Sequence, residues 1–193
     1  MGPVRHVSIH HTETPIPDSV SEVQRLRNIQ QYHQEERGWG DIAYHYLIGP
    51  SGTVYEGRSP RYASSSGTVY LSAEQLERAG QTATGHTAAP VPTGAKAPGA
   101  SAGHLTVCFL GSYGTSLPTE EARRAAVRLI ARLLRENGLT PDAIRLHREV
   151  AHSDCPGQAL YDWFRGPERS VKGRGEAFAW LRAADPNPGT RTP

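Results

Sequence analysis

His104-Leu-Thr-Val-Cys-Phe-Leu-Gly111 is a short run of β-branched, aromatic and aliphatic residues closed by a glycine. Its length and composition fit a buried strand. The chain on either side supplies the partners such a strand needs. After it, Thr119 caps a long helix with Glu120 and Glu121 in the first turn, where the helix dipole favours acids. Ala122, Ala126, Leu129 or Ile130, and Leu133 fall on one face of that helix, and Gly138 follows its end. Ala143 to Leu146 reads as a further short strand that runs straight into His147, and Leu160 to Phe164 and Glu176 to Ala183 as short helices.

Before it, Arg5 to His10 reads as a strand with Val7 and Ile9 alternating, ended by Pro15 and Pro17. Ser19 and Glu22 form a capping-box pattern. Val20, Val23, Leu26 and Ile29 then predict an amphipathic helix to about Glu36, stopped by Gly38. Tyr44 to Ile48, the turn Pro50-Ser51-Gly52 and Thr53 to Glu56 predict a hairpin. Strands and helices alternate, so the expected fold is α/β: a single domain with a central mixed β-sheet flanked by helices. The expected domain is 1–184. Within it, 59–103 is a loop-rich insertion, with a possible short helix from Ser72 to Ala79 and an Ala, Pro and Gly-rich stretch beyond. Residues 185–193 predict a disordered tail.

The chain has 193 residues, a length that fits one domain. Two cysteines cannot make a disulfide scaffold. No apolar run approaches the roughly 18–20 residues of a membrane helix. A net charge of +2 gives no field that argues for nucleic acid or an anionic membrane, so neither is an expected partner. The start, Met-Gly-Pro-Val-Arg-His6, lacks the basic-then-apolar layout of a signal peptide, and a leaderless chain is the expectation.

Nine histidines are the imbalance that calls for a site. The segment His147-Arg-Glu-Val-Ala-His-Ser-Asp-Cys155-Pro-Gly157 sets an imidazole and a thiol eight residues apart across a loop that follows a strand. Zinc takes His nitrogen and Cys sulfur, and a catalytic zinc keeps three protein ligands and an open position. A third ligand can come from His10 or His11 at the end of the first strand, which alternation puts on opposite faces. On spacing alone, two other readings stay open: Cys155 as a small buried apolar residue, and a metal-free Cys–His nucleophile. Cys108, inside the buried strand, reads as a core residue, and so does His104. His6 and His33 are expected to face solvent, His45 to pack, and Asp41 to fix the turn before Tyr44.

Four blocks together resemble the type 2 N-acetylmuramoyl-L-alanine amidases, a family that includes bacteriophage lysozyme-amidases and animal peptidoglycan recognition proteins. They are Ile9-His-His-Thr12, Trp39-Gly-Asp-Ile-Ala-Tyr-His-Tyr-Leu-Ile48, Gly52-Thr-Val-Tyr-Glu-Gly-Arg58, and His147 to Gly157. They occur in the family's order over about residues 5–165.

The resemblance implies one catalytic zinc at the sheet edge, held by His10, His147 and Cys155, with Tyr44 as the catalytic tyrosine. It implies hydrolysis of the amide between the lactyl group of N-acetylmuramic acid and the L-Ala of the stem peptide. Zinc in such a site acidifies water and polarises the amide carbonyl. Where the family has Lys or Thr two residues before the cysteine, this chain has Ser153, a donor without charge. The family's Gly-x-His segment is matched by Gly85-His86-Thr87, but the Asn that usually follows is absent, and 26 extra residues (59–84) precede it. His86, His11 and His152 are the expected substrate contacts. The implied partner is peptidoglycan, met by a monomer at the bacterial cell wall. The chain would act as a phage endolysin or as the catalytic domain of a secreted parent. The alternative is a recognition module that binds peptidoglycan without cleaving it.

Overall fold

The computed structural model describes residues 3–15, 17, 19–62, 103–166 and 175–184. His86, the region Ser72 to Ala79, nearly all of 59–103 and the stretch 185–193 lie outside the described residues. Among the described residues, five strands form one mixed sheet in the order β3-β2-β4-β1-β5. They are β1 (His6–His11), β2 (Tyr46–Ile48), β3 (Val54–Glu56), β4 (His104–Phe109) and β5 (Ile144–Leu146). β1 lies between β4 and β5 and is parallel to both; β2 is parallel to β4 on its other side. β3 turns back antiparallel to β2 and forms one edge. Every residue of β4 is buried, as expected of an interior strand in a parallel sheet covered on both faces.

The helices are α1 (Glu22–Glu35), α2 (Glu120–Glu136), α3 (Gln158–Arg165) and α4 (Glu176–Ala184). Side-chain alternation along β1 and β4 sorts the two faces. Val7, Ile9, Leu105, Val107 and Phe109 join the larger core with the apolar sides of α2, α3 and α4. Cys108 faces the other way, into a smaller cluster with Ile42, Leu47 and Leu110, against which Leu26, Ile29, Tyr44 and Tyr55 pack. His10 sits opposite Cys108 in the β1–β4 register and therefore shares that second face. α2 has its N-cap at Thr119, whose hydroxyl accepts from Ala122 N–H, and it buries Ala122, Ala126, Leu129, Ile130 and Leu133.

α1 departs from expectation in two ways. Its cap is Ser21, not Ser19, and the Ser21 hydroxyl accepts from Gln24 N–H. Glu22 does not close a capping box; its carboxylate instead accepts from Ser51 N–H, Ser51 O–H and Tyr55 O–H across the hairpin. Leu26 and Ile29 are half-buried, Val23 is exposed, and the helix's one buried residue is His33. His33 thus contradicts its expected place in solvent. Its Nδ1 accepts from Ala43 N–H at 3.2 Å, and its ring lies 4.7 Å from that of Trp39. His6 is half-buried at the opposite end of the sheet from the site, with Nδ1 3.3 Å from Ala143 O.

Burial lowers the pKa of His33 to about 4, while the same residue in an unfolded chain titrates near 6.5. Between those values the unfolded state holds the extra proton, so stability is full above about pH 6.5 and drains away as pH falls toward 4. His104, buried and bonded to Ser8, is lowered to about 4 and acts in the same sense. Urea unfolding is therefore expected to show lower stability at pH 5 than at pH 7. His33→Asn, which keeps an acceptor for Ala43 N–H but cannot titrate, is expected to shrink that difference. An undiminished difference in the variant would remove His33 from the account.

Candidate metal centre

The C-terminal ends of β1 and β5 lie side by side, and each delivers a histidine. β1 ends in His10-His11. β5 runs directly into a single 3-10 turn, His147–Glu149. Open α/β sheets present their binding residues at the carboxyl ends of the strands. The chain then loops through Ser153 and returns Cys155 to the same place. The return is fixed by Arg148 N–H, which donates to Cys155 O at 2.9 Å. Beyond it, Gly157 adopts φ +90, and a Cβ there would lie 2.4 Å from the Tyr113 carbonyl. Only glycine lets the loop pack so close, and Tyr113 O accepts in turn from Ala159 N–H.

His10, His147 and Cys155 bring one ligand atom each to within 4.8 Å of one another. His10 Nδ1 is 3.8 Å from Cys155 Sγ. A tetrahedral zinc bonded to N at about 2.0 Å and S at about 2.3 Å would separate that pair by about 3.5 Å. His147 Nδ1 and His10 Nε2 are buried without a hydrogen-bond partner among the described residues. Buried polar atoms are ordinarily paired, so the bare His147 Nδ1, in a residue grouped with His10 and Cys155, fits a cation ligand. Two imidazoles and one thiol are also the protein donor set of a catalytic zinc.

The electrostatics agree. Burial holds His10 well below its usual pKa and brings His147 down to about 4, so both rings are neutral with lone pairs available at pH 7. Burial also pushes the Cys155 thiol up to about 12, against the pull of His11 N–H, which donates to Sγ at 3.3 Å. A coordinated cation reverses that, since a ligating thiol is deprotonated. A neutral imidazole beside a protonated thiol is the opposite of the thiolate–imidazolium pair a cysteine nucleophile uses.

Tyr44 lies beside His10 of this triad, its ring centroid 5.5 Å from that of His10. Three contacts hold the Tyr44 turn. Arg58 donates to Ile42 O and Asp41 O at 3.0 Å each, and its backbone N–H donates to Tyr44 O at 2.8 Å. Asp41 Oδ1 accepts from Ile42 N–H, and so fixes the turn. His33 holds Ala43 and lies with its ring 5.9 Å from that of Tyr44. Burial first, then the Cys108 and Cys155 thiols and a side-chain hydrogen bond to Cys108, raise the Tyr44 pKa well above 10 and leave a neutral phenol at pH 7.

The remaining expected site residues fall as follows. Ser153 Oγ accepts from Cys155 N–H at 3.1 Å, which leaves its O–H to donate. His11 is buried, and its Nδ1 accepts from Tyr113 N–H at 3.3 Å, which ties the end of β1 to the segment that follows β4. His152 is exposed on the ligand loop. His45 is a packing residue, bonded to Thr106 and to Tyr62 O. Cys108 is a fully buried free thiol. Sequence reasoning missed His33 and Arg58 as supports of Tyr44. Arg58 was signalled by closing the Gly52–Arg58 block.

The fold and site define an α/β domain with two histidines and one cysteine that could hold a metal ion, gathered at the carboxyl ends of parallel strands of a mixed sheet. The chain belongs to the N-acetylmuramoyl-L-alanine amidase family, which matches residues 1–158, and specifically to its type 2 amidase and peptidoglycan recognition protein branch. It is 34% identical over 169 residues to a human N-acetylmuramoyl-L-alanine amidase, a match covering 84% of this chain and 24% of the human protein. It is 34% identical over 161 residues to bovine (Bos taurus) peptidoglycan recognition protein 1, covering 82% of this chain and 70% of that one. A crystal structure of human PGRP-IβC in complex with glycosamyl muramyl pentapeptide superposes with a TM-score of 0.61 at 26% identity, covering 83% of this chain and 80% of that chain. The chain thus spans about a quarter of the human amidase's length and most of the recognition protein's.

Proposed function

We propose that the chain is a zinc-dependent amidase that hydrolyses the bond between the lactyl group of N-acetylmuramic acid and the L-Ala of the peptidoglycan stem peptide, with 1–184 as the catalytic domain. The observation that carries this is the grouping of His10, His147 and Cys155, their ligand atoms within 4.8 Å of one another, with the Tyr44 ring beside His10. Zinc held there would supply Lewis-acid polarisation of the amide carbonyl and an acidified water. The chain's own residues do the rest. His10 and His147 stay neutral and available as ligands, and Cys155 contributes the one negative charge. Tyr44 O–H donates to the oxygen that gains charge as the carbonyl carbon becomes tetrahedral. Ser153 O–H would add a second, uncharged donor.

The substrate class is supported by a relative whose structure holds a muramyl pentapeptide. His86 and the exposed His152 are assigned to contact with the glycan or stem. The site of action is the bacterial cell wall. No helix among the described residues is long and apolar enough to cross a membrane.

Several relatives are named for recognition, not cleavage. A non-catalytic module is therefore the second reading. The presence of both Cys155 and Tyr44 favours the enzyme, because loss of either removes a ligand or the oxyanion donor. Purified peptidoglycan incubated with the protein separates the two. Amidase action releases stem peptides with a free L-Ala amino terminus and leaves glycan chains intact. Binding without new amino termini would establish the recognition module, and release of disaccharides would mean glycosidase chemistry.

A further inference from the structure

Two charged residues that the chemistry above does not use, Arg148 and Glu149, directly follow His147 in the ligand loop. Both are tied to backbone, and in different directions. Glu149 faces the sheet: its Oε2 accepts from Leu146 N–H at 2.9 Å, and Arg165 of α3 forks onto both carboxylate oxygens at 2.6 and 2.7 Å. That side chain is 22% exposed, and the Arg165 fork pulls its pKa down against the effect of burial.

Arg148 faces the other way, across the loop. Its Nη2 donates to Asp154 O at 2.6 Å and its Nη1 to Gln158 Oε1 at 2.7 Å. Its guanidinium lies 4.9 Å from the Tyr161 ring centroid, and its own N–H donates to Cys155 O. One residue next to His147 thus holds the peptide on the N-terminal side of Cys155, the carbonyl of Cys155 itself, and the first residue of α3.

We propose that Arg148 is the positioning residue that holds His147 and Cys155 at metal-ligand spacing. The inference rests on the reading of this triad as a zinc site. The physical reason is geometric. His147 and Cys155 are eight residues apart, and beyond the 3-10 turn His147–Glu149 the five residues 150–154 have no sheet or helix to fix their separation. Ordering that loop at the moment of binding would weaken affinity. A planar guanidinium with donors in a fixed fork sets two acceptors at once, which a lysine ammonium cannot do in the same geometry. Groups that orient metal ligands in this way typically account for about 10–100-fold in metal affinity.

The test measures zinc affinity by competition with a chromophoric chelator on the whole chain, beside the thermal unfolding of each zinc-stripped protein. Arg148→Ala is expected to bind zinc about 10–100-fold more weakly, with the unfolding midpoint of the stripped protein nearly unchanged. Arg148→Lys is expected to fall between it and the wild type. Gln158→Ala, which removes one acceptor, is expected to show a smaller loss still. Should Arg148→Ala fail to fold, the lysine and Gln158 variants carry the comparison. Wild-type affinity in all variants that fold would overturn the proposal, as would an affinity loss matched by an equal loss of stability in the stripped protein. If the wild-type chain itself takes up no zinc, the zinc reading falls and the proposal with it. Zinc uptake by the wild type with unaffected variants sinks the Arg148 role alone.

Discussion

Tyr44→Phe is expected to keep one zinc per chain and to hydrolyse the muramoyl–L-alanine amide about 100–1,000-fold more slowly, the cost of losing one oxyanion donor. The ring remains, so its packing against His33 and His10 and the turn held by Arg58 and Asp41 are undisturbed. The loss should appear in kcat, with KM little changed, because the bond is made to charge that develops only on the way to the tetrahedral species. Single-turnover rates beside zinc analysis check this. Undiminished turnover would take Tyr44 out of the chemistry. A fall in zinc content would make it a structural residue.

Cys155→Ala is expected to be the most damaging single substitution: zinc content near zero and activity at background in a chain that still folds. Cys155 is the one ligand that carries charge when bound. Without it two neutral histidines remain, fewer than the three protein ligands of a catalytic zinc. The fold should survive, because the larger core on the other face of the sheet does not include Cys155. The thiol's removal frees His11 N–H, a single bond. Zinc retained at one equivalent by this variant would mean the metal is held elsewhere.

The frame of the fold was legible because its signals are local. β1, β4 and β5 declare themselves by β-branched alternation or by an unbroken apolar run, and α2 by Thr119 with its acidic first turn. Alternation also placed His10 and His11 on different faces, though it could not choose between them. That choice came from the family resemblance, and the structure brings His10, not His11, to His147 and Cys155. What failed was decided by long-range contacts. Ser19 and Ser21 both offer a capping hydroxyl, and Glu22 completes a box with Ser19 on paper, but its carboxylate is drawn to Ser51 and Tyr55. His33 lies in a helix polar enough to suggest solvent, yet it is buried because the Trp39–Tyr44 loop folds back over it. Arg148 and Glu149 look like ordinary loop charges until the loop closes. Their one sequence signal is adjacency to His147.

Removal and return of the metal tests the central claim most directly. The protein is stripped with chelator, dialysed, and assayed on peptidoglycan by the appearance of L-Ala amino termini, then titrated with zinc. The account predicts that activity disappears with the metal and returns in proportion to added zinc, reaching its plateau at one equivalent per chain. Amide cleavage that continues at full rate in the stripped protein would contradict it.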